Sequence, residues 1–490
     1  MVTSQSSPSV GVMEPSDYVA VFLDWMKHGF GSAILDAVSG SGKTTALEQA
    51  SALIPPNKKA IFLAFNKKIA LELAERLPSH VESKTLNSFG YHVLKRYNRN
   101  LIMDEYKTQK ILEKEFEYPD YYGAGKQICD MVSKAKIHGY VPTDDFYGWV
   151  LTTKLWRKLI KQYEIDIKLE DSVIEPLAKI ANRILLLSLT KYKNKADYND
   201  QLYMPVTLEL SVPVFDWVFV DEAQDISSIQ RMLLKRIVRS KGRFVAVGDK
   251  NQSVYEFRGA DHHSMDRLKR MFDCQTFPLS VSYRCPLSVV RLAQTLVPEI
   301  QARPNAPEGS VSTCDFKMAD LKVGDFVLCR NNAPLIKAAI KISEQQPCYI
   351  EGGDLPKNLI KIIREQGVTR LSDLTLELDN WYQKKVKVET EFDRLATMAG
   401  IRDKYKSIKM LIDKYPDINT AHELIGVINT LFTKTEGVML STAHQSKGLE
   451  ANNVFIIKPE LFADTQQDRN LRYVAYTRAK KNLYLVQSLI

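Results

Sequence analysis

Apolar residues occur along this chain in two alternating textures. Short continuous runs rich in β-branched and aromatic residues come first: Ile34-Leu35-Asp36-Ala37-Val38, Ala60-Ile61-Phe62-Leu63-Ala64-Phe65, Trp217-Val218-Phe219-Val220 and Phe244-Val245-Ala246-Val247. Such runs are too short for buried helices and read as parallel strands covered on both faces. Helical spacing, as over Lys67 to Leu77, falls between them, and this alternation predicts a parallel sheet flanked by helices. Later runs, Phe326-Val327-Leu328-Cys329, Val438-Met439-Leu440-Ser441, Val454-Phe455-Ile456-Ile457 and Leu483-Tyr484-Leu485-Val486, predict a second sheet.

The expected class is therefore α/β, with two parallel-sheet domains that each carry an inserted, mainly helical subdomain. Residues 1–16 are rich in Ser and Pro without an apolar period, the composition of a flexible tail. Residues 17–90 with 205–280 form the first expected domain, interrupted by a helical insertion over 91–204. Residues 281–355 with 437–490 form the second, interrupted by a short helical insertion over 356–436. No repeat of fixed period is visible, which argues against a solenoid or propeller.

Composition narrows this picture only slightly. At roughly 150 residues per domain, 490 residues suffice for several large cores. No apolar run approaches the roughly 18 residues of a membrane span, and the start lacks the basic end and apolar middle of a secretory signal. A cytoplasmic protein without a membrane partner is expected. Six scattered cysteines contain no C-x-x-C pair, so neither a disulfide framework nor a cysteine zinc site is indicated. The net charge of +9 permits a polyanionic partner without requiring one.

Chemistry concentrates at two places. Ala37-Val38-Ser39-Gly40-Ser41-Gly42-Lys43-Thr44-Thr45 follows a strand run and opens a helical stretch, the context of a phosphate-binding P-loop. Its glycines let successive N–H groups turn inward on phosphate, Lys43 reaches the terminal phosphates and Thr44 can ligate Mg²⁺. Asp221-Glu222 sits directly after another buried strand, where Asp221 can hold the metal and Glu222 can orient and deprotonate water.

Six ordered stretches then resemble the motifs of UvrD/Rep-like superfamily 1 DNA helicases. They are the P-loop, Asp221 to Asp225, Val247 to Ala260, Ser282-Tyr283-Arg284, Thr442 to Glu450, and Tyr473 to Ala479. The resemblance implies two RecA-like P-loop domains, ATP with Mg²⁺ between them, and single-stranded DNA across both. It implies that Ser39, Gly40, Ser41, Gly42, Lys43, Thr44 and Thr45 bind nucleotide and that Thr44 and Asp221 hold the metal. It implies catalytic roles for Lys43, Glu222, the γ-phosphate sensor Gln252, and the cross-cleft arginines Arg284 and Arg478. Tyr283 resembles an adenine-stacking aromatic and Glu450 a ribose-side carboxylate, whereas Val19 stands where the family has an adenine-reading glutamine. Phe65, Asn66, Thr85, Asn87, Tyr255, Phe257, Arg258, Thr442 and His444 match DNA-contacting positions. For Phe65, core packing is the competing reading.

In the insertions, Asp197-Tyr198-Asn199-Asp200-Gln201-Leu202 resembles another family element. Trp149, Lys154, Trp156, Arg157, Lys158 and Lys161 read either as a basic nucleic-acid contact or as an amphipathic helix with its tryptophans inward. Residues 381–410 carry eight Lys/Arg and four Asp/Glu, a further candidate phosphate contact whose default reading is a solvated helix face. The expected activity is an ATP-dependent helicase, 3′→5′ by resemblance, acting on single-stranded DNA and ss/ds junctions with a monomeric core and without a nuclease domain after the last motif. Rival readings are a translocase that strips proteins or recombinase filaments without unwinding, and an ATP-switched DNA-binding module with little turnover.

Overall fold

The computed structural model describes residues 17–489 apart from 118–120, 122, 143–145, 255–262, 317–319, 352–353, 392–394 and 434–435. The expected tail, 1–16, lies outside the described residues. In chain order the strands are β1 (Ser32–Ala37), β2 (Ala60–Ala64), β3 (Val81–Thr85), β4 (Ile102–Met103), β5 (Lys195–Ala196), β6 (Phe215–Val220), β7 (Val238–Gly248) and β8 (Cys274–Leu279). There follow β9 (Val281–Ser282), β10 (Gln301–Ala302), β11 (Ser310–Phe316), β12 (Phe326–Cys329), β13 (Cys348–Ile350), β14 (Val438–Thr442), β15 (Ala451–Ile457) and β16 (Ala479–Leu489).

Two six-stranded sheets organise the chain. The first runs β3-β2-β6-β7-β1-β8 and the second β11-β16-β15-β12-β14-β13, and every neighbouring pair in both is parallel. β4 with β5 and β9 with β10 form separate two-stranded pairs. Although β1 and β2 are consecutive, β6 and β7 lie between them. Such a crossing opens a crevice at the carboxyl ends of the strands, where ligands of open α/β sheets bind.

Alternation along each strand divides the core between two faces. In the first lobe, Leu35, Phe62, Phe219 and Val245 face one cluster with Phe22 and Leu47, while Ile34, Ile61, Val218 and Phe244 face another. That second cluster continues without a break into the first insertion through Met131, Trp156, Ile184 and Leu185. The second lobe repeats the arrangement. Val327, Leu440 and Phe455 share a core with Leu359, Leu374, Ile408 and Leu424 of the second insertion. Each insertion is thus welded to its own sheet by common apolar burial, the dominant stabilising term in such a fold.

Trp156 is fully buried and packs edge-on against Tyr140 at 5.3 Å, so this tryptophan of the basic helix Phe146–Gln162 points inward. The side chain of Trp149 lies outside the described residues. Deeper in the insertion, Lys107 bonds Asp200 at 2.7 Å, and Lys136 bonds Asp197 at 2.6 Å and Asp200 at 2.8 Å. This neutral tetrad fixes the 197–202 element within the insertion, and the element packs on the first lobe at Gly90, where a Cβ would stand 2.0 Å from the Gln201 carbonyl oxygen. Among the described residues no helix is long and apolar enough to cross a membrane.

Candidate active site

The loop between β1 and the helix Lys43–Ala52 has the conformation its glycines predict. Gly40 and Gly42 have φ of 74° and 77°, the left-handed region open to glycine at no steric cost. Gly40 is doubly constrained, because a Cβ there would lie 2.7 Å from Cβ of Arg284. The loop, Phe65, Asn66, Ile69, Glu222, Gln252, Arg284, Lys447, Gly448 and Arg478 enclose a cavity of about 350 Å³. Two lobes supply its walls.

The carboxylates after β6 are held from several sides. Thr44 Oγ1 donates to Asp221 Oδ2 at 2.7 Å, and the Glu222 N–H donates to Asp221 Oδ1 at 2.8 Å. Glu222 occupies the left-handed region at φ 51°, a backbone conformation unfavourable for a residue with Cβ and typical of functional turns. Lys43 Nζ approaches Glu222 at 3.9 Å, while Lys447 Nζ, from the turn after β14, approaches it at 3.2 Å. Lys447 also pairs with Asp225 at 2.5 Å and donates to the Gln252 carbonyl at 3.2 Å.

These contacts separate the two neighbouring acids. Burial, reinforced by the charge of Glu222, pushes Asp221 up to about 6. Burial opposes ionisation of Glu222 as well, but Lys43 and Lys447 outweigh it and hold Glu222 at about 2. Gln252 is almost fully buried and donates through Nε2 to Asp249 Oδ2 at 2.7 Å. Its amide is therefore fixed in orientation at the cavity wall.

Opposite the loop stand the two arginines. Arg478 is 1% exposed and donates to Val474 O at 2.8 Å, Leu449 O at 3.1 Å and Ser39 Oγ at 3.0 Å. Arg284 pairs with Glu450 at 2.6 Å and donates to Ser39 Oγ at 3.3 Å. Among the described residues no carboxylate lies within ion-pair distance of Arg478, and burial with the neighbouring Arg284 lowers its pKa to about 9. Buried charges are normally paired. A guanidinium left without a counter-ion at the wall of a cavity fits an anionic ligand there.

Other expected site residues are placed as follows. Tyr283 does not line the cavity; it stands half-buried beside the loop, and its N–H donates to the Gly40 carbonyl at 2.8 Å. Glu450 also approaches Lys480 at 3.3 Å. Val19 is buried in the first-lobe core. Phe65 is 42% exposed, which overturns the core-packing reading. It lines the phosphate cavity together with Asn66, and Asn66 Oδ1 caps the next helix by accepting from the Ile69 N–H at 2.9 Å.

Thr85 likewise caps the helix Leu86–Tyr97 by accepting from the Ser88 N–H at 3.1 Å. Asn87 donates to Gln201 Oε1 at 3.2 Å. Thr442 is buried and accepts from the Gln445 N–H at 3.4 Å. Burial, with Arg330 nearby, lowers His444 to about 4, so its imidazole is neutral at pH 7. Tyr255, Phe257 and Arg258 lie outside the described residues.

Reading the sequence missed Lys447, Asp225 and Tyr473 as site residues. All three lie inside stretches already singled out, but their partners are 195 to 434 positions away. Periodicity carries no information at that range.

The residues present suit a nucleotide with its metal. Among the described residues the Ser41 hydroxyl is buried without a partner and Arg478 has no counter-ion, and a hydroxyl and a carboxylate meet at Thr44 and Asp221 with the oxygen donors Mg²⁺ prefers. Among the described residues no cluster of three His, Cys, Asp or Glu offers a different metal site.

Fold and loop together define a P-loop protein with its phosphate cavity between two parallel α/β lobes. The UvrD/REP helicase N-terminal domain matches residues 25–273 and the UvrD-like helicase C-terminal domain residues 437–486. The chain belongs to the UvrD/REP helicase family. Its relatives include DNA helicase II of Rickettsia typhi, 20% identical over 94% of this chain and 90% of that protein. ATP-dependent DNA helicase srs2 of Schizosaccharomyces pombe is 27% identical over 54% of this chain, and ATP-dependent DNA helicase PcrA of Bacillus subtilis 24% over 54%. The chain spans 33% and 37% of the length of those two proteins. A solved Arterivirus nonstructural protein 10 helicase overlaps 93% of this chain and 59% of its own at 13% identity and a TM-score of 0.36, too low to bear on the fold.

Proposed function

We propose that this chain is a Mg²⁺-dependent ATP hydrolase that moves 3′→5′ on single-stranded DNA, as a monomer, and separates duplex at an ss/ds junction. The observation that carries this reading is the pairing, across one cavity, of Lys43 with two arginines from the opposite lobe, one of them buried without a counter-ion among the described residues. Hydrolysis in such a cavity depends on both walls, so turnover and lobe movement are coupled.

The roles follow from chemistry. The loop N–H groups and Lys43 hold the β- and γ-phosphates, and Arg284 and Arg478 neutralise charge that develops on transfer. Thr44 and Asp221 would hold Mg²⁺, which supplies further neutralisation of the phosphate oxygens. Glu222 orients the attacking water and accepts its proton. As Lys43 turns to phosphate, Glu222 loses one of the cations that depress its pKa, and its proton affinity rises. Gln252, fixed by Asp249, presents an amide to the leaving phosphate.

For the strand, supporting positions sit at the carboxyl ends of both sheets: Phe65 and Asn66 after β2, Thr85 and Asn87 at β3, Thr442 and His444 at β14. Neutral His444 would contact DNA through hydrogen bonds instead of charge. Residues 91–204 and 356–436 are assigned as the insertions carried by the two lobes.

Duplexes with a 3′ tail, a 5′ tail or no tail, incubated with ATP and Mg²⁺, test the proposal. The 3′-tailed duplex should be unwound, the others should not, and Lys43→Ala should abolish the reaction. Equal unwinding of both tailed substrates would refute the polarity, and no unwinding of any would refute the helicase assignment.

A further inference from the structure

The outermost strand of the first sheet, β3, borders a second concavity, of about 580 Å³. Its floor is the helix Leu86–Tyr97, on which Phe89, Val93 and Arg96 share one face by their spacing of four and three. Phe89 and Val93 are each 3% exposed, so the floor is packed and apolar. The rim is cationic, with Lys84 from β3, Lys95 and Arg96 from the helix, and Arg99 from the turn beyond it. Glu82 is the one carboxylate in the lining, and Lys84 already pairs with it at 2.7 Å. Among the described residues no carboxylate lies within ion-pair distance of Lys95, Arg96 or Arg99.

The turn keeps these charges together. Lys95 Nζ donates to the Leu101 carbonyl at 2.8 Å and to that of Arg99 at 3.4 Å, and the Asn100 N–H donates to Asn98 Oδ1 at 3.0 Å. The chain thereby folds back on the helix end and sets Arg99 on the same rim as Arg96. Carbonyl partners hold the Lys95 ammonium in place without neutralising it. Three uncompensated cations around one concavity raise the local positive potential and suit a partner that carries several negative charges in a row.

We propose that this groove holds the sugar–phosphate backbone of single-stranded DNA where the strand passes off the edge of the first lobe. The inference rests on the proposed function, in which Thr85 and Asn87 contact the strand. Thr85 caps the helix that floors the groove, and Asn87 lies in its first turn. From Asn87 to Arg96 the helix rises about 14 Å, at about 1.5 Å per residue, so the groove continues the track over the next few nucleotides. A lone phosphate would meet one or two of the cations, whereas a backbone meets them in succession. Planar guanidinium groups match phosphate oxygens bidentately, and backbone contacts carry no base preference, as movement along any sequence requires.

The test is the salt dependence with which the full chain binds oligothymidylates of graded length, in the wild type, Arg96→Gln/Arg99→Gln and Arg96→Lys/Arg99→Lys. Both arginines are exposed, and neither lines the phosphate cavity. With long oligonucleotides the slope of log K against log salt should become shallower by about 0.7 per cation removed, hence by about 1.4 in the glutamine variant. The lysine variant, which keeps both charges, should retain the wild-type slope. An oligonucleotide too short to pass Asn87 should bind all three proteins alike, and the advantage of the wild type over the glutamine variant should appear as length grows beyond that point.

Equal slopes in the wild type and the glutamine variant at every length would overturn the groove, and are the result expected of cations that merely guard an open sheet edge. A poly-glutamate peptide that binds the wild type and not the glutamine variant, alongside unchanged DNA slopes, would assign the groove to an acidic protein segment and overturn it as well. Unwinding of 3′-tailed duplex separates this failure from failure of the proposed function. Equal slopes with unwinding intact remove the groove alone, while a groove-dependent slope in a chain that unwinds nothing leaves the groove standing and removes the helicase.

Discussion

Asp221 and Glu222 share a peptide bond but not an acidity. Burial pushes Asp221 up to about 6, while Lys43 and Lys447 overcome burial at Glu222 and hold it at about 2. Metal ligands must be deprotonated, so in the proposed role as a Mg²⁺ ligand Asp221 would take up a proton and lose its hold on the metal as pH falls through about 6. Above that pH the ligand is charged and affinity levels off. Mg²⁺ titrations of analogue binding between pH 5 and 8 should show apparent affinity dropping by up to about tenfold per pH unit below 6, and Asp221→Asn should flatten the profile. A flat wild-type profile would remove Asp221 from the metal site. The carboxylate pair and the loop were legible because each is a local pattern with a fixed chemical purpose. Lys447 and Tyr473 were not, since their significance depends on which distant side chain faces them.

At the scale of elements, the eight strands predicted from apolar runs all exist, and four of the strands that the pattern did not mark are the outer strands of the two sheets: β3, β8, β11 and β13. The physical reason is burial. An edge strand need not be apolar on every side, and Val81-Glu82-Ser83-Lys84-Thr85 is mostly polar and incompletely buried. β8 contains Pro278, a residue largely confined to sheet edges because it has no N–H to donate.

The buried tetrad in the first insertion was equally illegible, because Lys107 and Lys136 look like ordinary surface lysines in one dimension. Its energetics are checkable. Lys107→Met leaves two buried aspartates facing one lysine, and breaking a buried pair by removing one partner costs about 3–5 kcal/mol. Chemical denaturation should show a loss of that size. A change below about 1 kcal/mol, the range of an exposed pair, would contradict the burial of the tetrad.

Over the whole molecule, contacts between the two lobes gather around the cavity and join residues that the ordered motifs had named, Ser39, Glu222, Gln252, Arg284 and Arg478, to ones the reading had missed, Lys447, Asp225 and Tyr473. The motif order made two lobes legible. It gave no sign that each insertion shares a continuous core with its sheet, through Trp156 and Ile184 in one and Leu374 and Ile408 in the other. Shared cores make each insertion move with its lobe, so opening the cleft displaces sheet and insertion together. Movement of this kind is useful only if nucleotide and DNA bias it in concert.

Steady-state ATP hydrolysis with and without single-stranded DNA, in the wild type and Arg478→Ala, tests this coupling most directly. Turnover of the wild type should rise with DNA, and Arg478→Ala should lose kcat by about a thousandfold while still binding nucleotide through the loop. Turnover indifferent to DNA, or an Arg478→Ala variant as fast as the wild type, would contradict the account.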